Sequence, residues 1–301
     1  MQGRTRKIAL TEGVVAGVLF GTGSIFTRLL GDVDAFFIVF WRLMIACAAL
    51  AVLLVVCQKS FSPSLIRKNI KGLLVLGFLL ALHFIFFTAA VKDTTILNAT
   101  VLVSTVPIFS VVISSFLKLK PSTHALLGLA VSFIGVFIIA YAENATANVS
   151  VSQIAYSVRI RGDLEAVLAA FILALYLNYG RTIRNKMSLT SIMLPIYMFA
   201  SIIVCIVSVF GLGRILSMPM TVQNVISLFG IGVLPTAIAH TLSFSSLSNL
   251  KSFETATMSL IEPVGATFLG IALFQEVPAP LFSLGAVLTL LGIFFVMKNG
   301  S

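Results

Sequence analysis

Glu262 lies in the apolar run Ser-Leu-Ile-Glu-Pro-Val-Gly-Ala, with Glu254 and Glu276 as the nearest charged residues on either side. An acidic side chain at mid-depth in a membrane helix costs roughly 2.5–3.5 kcal/mol on insertion scales, so it must be protonated, paired with a base or held against water. Each condition suits a group that takes up a proton or an amine. Pro263 follows it and lacks an N–H, which leaves the carbonyl of Ser259 without its helical partner and marks a break in the span. The competing reading is structural: the carboxyl caps freed backbone groups and holds the broken helix in place.

His83 and His240 also fall in very apolar segments, where an imidazole can contact a substrate, pair with Glu262, relay protons or simply bond a neighbouring helix. His83 precedes Pro107 by 24 residues and His240 precedes Pro263 by 23. One residue is about 100° of helical rotation, so this spacing leaves open whether both rings face one cavity. His83 is the preferred contact, because Phe84, Phe86 and Phe87 follow it. Arg42, after Trp41, is either an anion contact or an interfacial anchor bonded to Asp32 or Asp34, and it reads more readily as the anchor. Glu12 has the same ambiguity with Arg6 or Lys7. Tyr176, Asn178 and Tyr179 form one polar cluster, and Asn98, Thr100, Ser104 and Thr105 form another just before Pro107. These suit an uncharged or zwitterionic solute, although such groups more often bond neighbouring helices.

The elements that must position these groups are membrane helices. Of 301 residues 59% are hydrophobic and 10% charged, with a mean hydropathy of +1.11. Soluble domains carry about 25% charged residues. About ten runs can cross a hydrocarbon core, at roughly 9–29, 35–56, 72–91, 94–117, 122–141, 163–180, 188–210, 222–246, 253–273 and 279–297. The first run is full length and lacks a cleavage site, so it is expected to stay rather than leave as a signal peptide.

A pattern of His, mid-span Pro and two Gly seven residues apart occurs twice: His83, Pro107, Gly128, Gly135, then His240, Pro263, Gly285, Gly292. The fold class expected is an all-α integral membrane protein of about ten transmembrane helices in two inverted five-helix repeats. Residues 1–141 form the first repeat, 142–162 an extracytoplasmic connection and 163–301 the second. With the N-terminus inside, most of the 20 Lys and Arg fall in inner loops, among them Arg4, Arg6, Lys7, Arg67, Lys68, Arg181, Arg184 and Lys298. The positive-inside rule then places both termini in the cytoplasm, and an odd number of spans per half inverts the second copy. Because its basic residues lie in alternate loops, the net charge of +10 reports topology and not a nucleic-acid partner. Gly13, Gly17 and Gly21 recur on one face of the first span, which suits close helix packing.

The strings FFIVFWRLMIA, LHFIFFTAAVKDTTILNATVLVSTVPIF, RGDLEAVLAAFILALYLNYGR and SLIEPVGATFLGIALFQEVPAPLFSLGAVLTLLGIFF resemble, in order and spacing, the EamA-type family of the drug/metabolite transporter superfamily. The family tends to place an acidic residue where the fourth and ninth spans end. Here only the second half does so, at Gln275-Glu276, while the first reads Lys118-Leu-Lys120. The resemblance implies an alternating-access carrier that moves a small organic metabolite, such as an amino acid or related amphipathic solute, often outward. The site would lie near Glu262, Pro263, His83 and Pro107, with His240, Tyr176, Tyr179, Asn98 and Arg42 as further candidates and a proton as the candidate coupling ion. The cell membrane is the expected location.

No Walker A loop, zinc-protease helix or nucleophile elbow is present, and neither a cofactor nor a metal is expected. Cys47, Cys57 and Cys205 sit in or beside apolar spans as small hydrophobes. The sequons at Asn144 and Asn148 fall in the central connection. The alternative activity is that of a membrane-embedded enzyme acting on a lipid or lipid-linked substrate, with Glu262, His83 and Arg42 as its reactive groups. A receptor that binds without transport is a third reading.

Overall fold

Apolar runs of about 20 residues satisfy their backbone groups internally only as helices, and each of the expected runs is helical. The computed structural model describes residues 5–299 apart from 32, 58–60, 95, 118–120, 147–155, 213–220 and 276–279. The first half comprises α1 (Arg6–Leu29), α2 (Ala35–Val56), a short α3 (Pro63–Lys68), α4 (Ile70–Asp93), α5 (Ile96–Val103), α6 (Val106–Phe116) and α7 (Thr123–Thr146). The second comprises α8 (Tyr156–Arg184), α9 (Leu189–Ile206), α10 (Val222–Ile231), α11 (Thr241–Ser246), α12 (Ser252–Met258), α13 (Glu262–Phe274) and α14 (Pro280–Asn299). Side-chain caps start several of them: Asp34 Oδ1 accepts from the N–H groups of Phe36 and Phe37 at 2.9 and 3.3 Å, and Thr221 accepts from Asn224 at 3.2 Å.

Among the described residues, nine helical stretches are long and apolar enough to span a membrane. The expected sixth span, within α8, is not one of them. Its charge-free run, Ala166–Gly180, is about 22 Å long, short of a core of about 30 Å. Helix continues to Thr146 and resumes at Tyr156, so the connection expected at 142–162 is shorter than its composition suggested. Asn148 and the pair Lys118 and Lys120, like Glu276, lie outside the described residues.

Both expected breaks exist. Between α5 and α6 the helix is interrupted at Ser104-Thr105, and Pro107 sits in the first turn of α6, where its missing N–H has no partner to lose. Between α12 and α13 the residues Ser259–Ile261 form a 3₁₀ turn, and Pro263 follows at the start of α13. A third irregularity was not visible in the sequence pattern: Gly232–His240, joining α10 to α11, is π-helical.

Packing follows the small residues. A Cβ on Gly13 or Gly17 would meet Met258, and one on Gly21 would meet the backbone of Gly265 and Ala266. Helix α1 therefore lies parallel to the broken helix α12–α13 and close against it. In the same way α8 runs parallel to α5–α6, tied by Asn178, whose amide donates to Ser110 Oγ at 3.0 Å and accepts from Ser114 Oγ at 2.8 Å. Helices α7 and α14 meet along the second glycine set. Gly128 packs on Gly292 and Gly135 on Gly285, each methyl position lying 2.4–2.7 Å from the partner glycine's carbonyl oxygen. Because the earlier glycine of one helix meets the later glycine of the other, this pair is antiparallel. Large apolar side chains such as Phe116, Phe210 and Val222 point outward, as a lipid-facing surface requires.

Candidate functional site

Five elements deliver polar side chains to one cavity between the helix breaks, α1 among them through Thr27. It is lined by Glu262 and Ser259 from one break, Val103 and Val106 from the other, and Arg42, His83 and His240 from α2, α4 and the π-helical segment. Its volume is about 50 Å³, room for three or four water molecules at roughly 10–15 Å³ each. At both breaks side-chain hydroxyls bond back to carbonyls of the preceding turn, which also accept backbone N–H groups. Ser104 and Thr105 donate to Thr100 and Leu102 carbonyls at 2.8 and 2.6 Å, and Ser259 donates to Ala256 at 2.7 Å.

Both imidazoles face this space. The rings of His83 and His240 are 6.1 Å apart, and His240 packs edge-on against Phe20 at 4.8 Å and Phe84 at 4.9 Å. Both rings thus face one cavity despite the one-residue difference in their spacing to proline, His240 standing at the end of the π-helical segment. His83 Nδ1 lies 3.0 Å from the carbonyl oxygen of Ala169. A carbonyl only accepts, so Nδ1 carries the proton, and in the neutral ring Nε2 is left as an acceptor.

Arg42 is a cavity residue, not an edge anchor. Its Nε donates to Thr236 Oγ1 at 2.9 Å, and its guanidinium carbon stands 3.9 Å above the centre of the Phe84 ring. Asp34, one of the partners expected for it, caps α2. Thr236 is itself held: its hydroxyl donates to Ile231 O at 2.6 Å, five residues back, and its carbonyl accepts from Tyr197 Oη at 2.7 Å. With Nε occupied and one face of the plane on an aromatic ring, Arg42 keeps its two terminal nitrogens for a carboxylate or similar anion. Glu262 is close enough for its charge to interact with that of Arg42. The cavity therefore presents a fixed cation, a carboxyl and two imidazoles beside Phe20 and Phe87.

The other expected contacts stand elsewhere. Tyr176 is fully buried against Phe244 and Met193, outside the cavity lining. Tyr179 is 38% exposed, with its hydroxyl beside Gly72. Asn98, in the first turns of α5, does not reach the lining either. Tyr176 and Tyr179 belong to one polar cluster and Asn98 to the other, and none of the three reaches the cavity lining. Pro107 and Pro263 shape the cavity through their neighbours Val106 and Glu262 and do not line it themselves. Sequence reasoning missed Thr236, Tyr197 and the α1 face that carries Phe20 and Thr27. The one available signal was Pro235 inside a long apolar run, directly before Thr236.

The model of the EamA-like transporter family matches residues 7–141 and again residues 160–298. The chain belongs to the EamA-like transporter family. It is 29% identical over 259 residues to YdfC, an uncharacterized transporter of Bacillus subtilis (strain 168), covering 85% of this chain and 79% of that protein. An uncharacterized transporter of Archaeoglobus fulgidus is 24% identical over 291 residues, covering 95% of each. A solved crystal structure superposes with a TM-score of 0.82 over 98% of both chains at 16% identity, a likeness of fold alone. This EamA-family protein is accordingly an integral membrane transporter.

Proposed function

We propose that this transporter is a secondary carrier for a small organic metabolite, an amino acid or related zwitterionic solute, and that it exports it by alternating access. The observation that carries this reading is the presence of both Arg42 and Glu262 in the lining of one cavity, between the two helix breaks. A cation with two free nitrogens suits a carboxylate, a carboxyl group suits an amine, and Phe20 and Phe87 suit the apolar part of such a solute. A cavity of this size holds water but no organic solute, so admission requires the surrounding helices to part. In this reading the two halves are inverted copies that exchange conformations, with both termini in the cytoplasm of a cell membrane. Glu262 and the two histidines are the groups through which a proton would couple. Export rests on family resemblance.

The test is a ligand-dependent thermal-shift screen of amino acids and related solutes on the purified protein, at one pH on each side of neutrality. Flux of the hits into proteoliposomes follows. The expected result is a hit whose binding is lost in Arg42→Ala and whose flux is saturable. Binding without flux contradicts the carrier reading, and covalent turnover of the hit replaces it with the enzyme reading.

A further inference from the structure

Two ion-pair clusters lie outside the cavity, and each joins one half of the chain to the other. In the first, Arg6 at the start of α1 donates to Glu254 Oε1 at 2.5 Å and to the carbonyl of Met297 in α14 at 3.1 Å. The second oxygen of Glu254 accepts from the N–H of Lys251 at 2.6 Å, and its side chain is 1% exposed. In the second cluster, Arg161 near the start of α8 donates to Asp93 at the end of α4 through both Nε and Nη2, and Nε lies 3.7 Å from Glu165. Thr94 Oγ1 adds a bond to Asp163 at 2.7 Å. In the first case an arginine at the entry of one half's first helix holds a carboxylate in the first turn of the other half's broken helix; in the second it holds the carboxylate that ends α4, three residues before the other half's broken helix.

The clusters sit at opposite ends of the molecule. Ser252, at the start of α12, bonds Leu177 O in the last part of α8 at 3.4 Å, and Arg181 donates to Leu250 O at 3.0 Å. Arg161 is 16 residues before Leu177 along the same helix, about 24 Å away. The cavity lies between them: Glu262 is eight residues along the broken helix from Glu254, and His83 is ten residues before Asp93. Both clusters are closed in this structure, and the cavity between them is small.

We propose that these clusters are the two gates of the carrier, opened in alternation: Arg6–Glu254 closes the cavity toward the face that bears the termini, and Arg161–Asp93 closes it toward the opposite face. This rests on the alternating-access reading. Each broken helix is parallel to the first helix of the other half and close against it, so parting a pair at its clasped end opens a path along its seam to the break. The two gates differ in kind. Glu254 is buried and fully bonded, so breaking that clasp leaves a charge without its partner, whereas the Arg161 side chain is 63% exposed and its pairing is exchanged for water at little cost.

The test reads access to the cavity and needs no substrate. Val106→Cys, in a background where Cys47, Cys57 and Cys205 are replaced, is labelled in sealed vesicles with a membrane-impermeant maleimide applied to one face or the other. Arg6→Gln should speed labelling from the terminal face about fivefold or more, and Arg161→Gln should do so from the opposite face only. The exchange Arg6→Glu with Glu254→Arg should return labelling toward the parent rate. In case the unpaired variants do not fold, the pair Arg6→Cys with Glu254→Cys provides a second arm. Oxidation should abolish labelling from the terminal face, and reductant should restore it.

Equal labelling from both faces in either single variant, or an oxidised pair still labelled from the terminal face, overturns the proposal. Flux of a hit from the thermal-shift screen with unmoved labelling sinks the gates and spares the carrier. Sided labelling without flux of any hit does the reverse.

Discussion

Gly135→Ala tests whether α7 and α14 are held by direct backbone contact. A methyl there would lie 2.4 Å from both the amide nitrogen and the hydroxyl of Thr289 and 2.6 Å from Gly285 O. Ordinary contact begins near 3.4 Å, so the helices must separate by about 1 Å, and overpacking of this kind costs roughly 1–3 kcal/mol. Alanine returns about 0.8–1.0 kcal/mol through its better helix propensity, leaving a net loss of up to about 2 kcal/mol. Gly23→Ala is the matched control, because its methyl meets nothing closer than Pro235 Cβ at 3.6 Å. It should gain the propensity term alone. Heating in detergent followed by size-exclusion detection should show the melting temperature falling by several degrees for Gly135→Ala and holding or rising for Gly23→Ala. Gly285→Ala meets Gly135 O at 2.7 Å, so it pushes apart the same two helices, and Gly135→Ala with Gly285→Ala should cost about 1 kcal/mol less than the sum of the singles. If Gly135→Ala stabilises as much as Gly23→Ala, or if the double is strictly additive, the seam is not a close-packed contact and the reasoning fails.

The other predictions concern the cavity and its supports. Glu262→Gln should flatten the pH dependence of flux while leaving the protein folded, and an unchanged pH profile in proteoliposomes would remove Glu262 from proton coupling. Thr236→Val removes the hydroxyl that holds Arg42 Nε and should weaken binding of a carboxylate-bearing hit by about five- to thirtyfold, the equivalent of roughly one charge-assisted hydrogen bond. Unaltered affinity by titration calorimetry, with Arg42→Ala inactive, would show that Arg42 does not need this support. Asn178→Leu breaks two bonds between α8 and α6, each worth about 0.6 kcal/mol on average in membrane proteins, and should lower stability by about 1 kcal/mol. A melting temperature equal to that of the parent would mean that apolar packing alone joins these helices.

The helices were legible because crossing a membrane demands long apolar runs, and the expected and observed limits mostly agree within a few residues. The breaks were legible for an equally local reason, since proline lacks the N–H that a continuous helix needs. What could not be read was rotation. Arg42, eight residues into α2 on a helix apolar all round, gave no pattern to say whether it faced lipid, water or the interior, and a neighbouring aspartate looked the nearer partner. Tyr176 and Tyr179 share a short stretch with Asn178, yet at 100° per residue three such positions cannot all face one cavity. His240 and His83 differ by one residue in their spacing to proline, and spacing alone could not tell that both rings face the cavity. The π-helical segment that ends at His240 depends on hydrogen bonds five residues apart, which no hydrophobic period encodes.

The asymmetry between the two breaks can now be placed. Val103 and Val106 stand before Pro107 as Ser259 and Glu262 stand before Pro263, and all four line the cavity. One wall is thus apolar and the other carries a hydroxyl and a carboxyl at the same two positions. The supports differ in the same sense: α8 is tied to the first break's helix by Asn178 with Ser110 and Ser114, whereas α1 meets the second through glycines with backbone against backbone. Glycine contacts can slide without leaving a polar group unsatisfied, and a buried amide bonded to two serines cannot. The seam that carries Glu262 can therefore slide once the buried Arg6–Glu254 clasp at its end is released, so movement of the carboxyl during transport should follow the opening of that clasp.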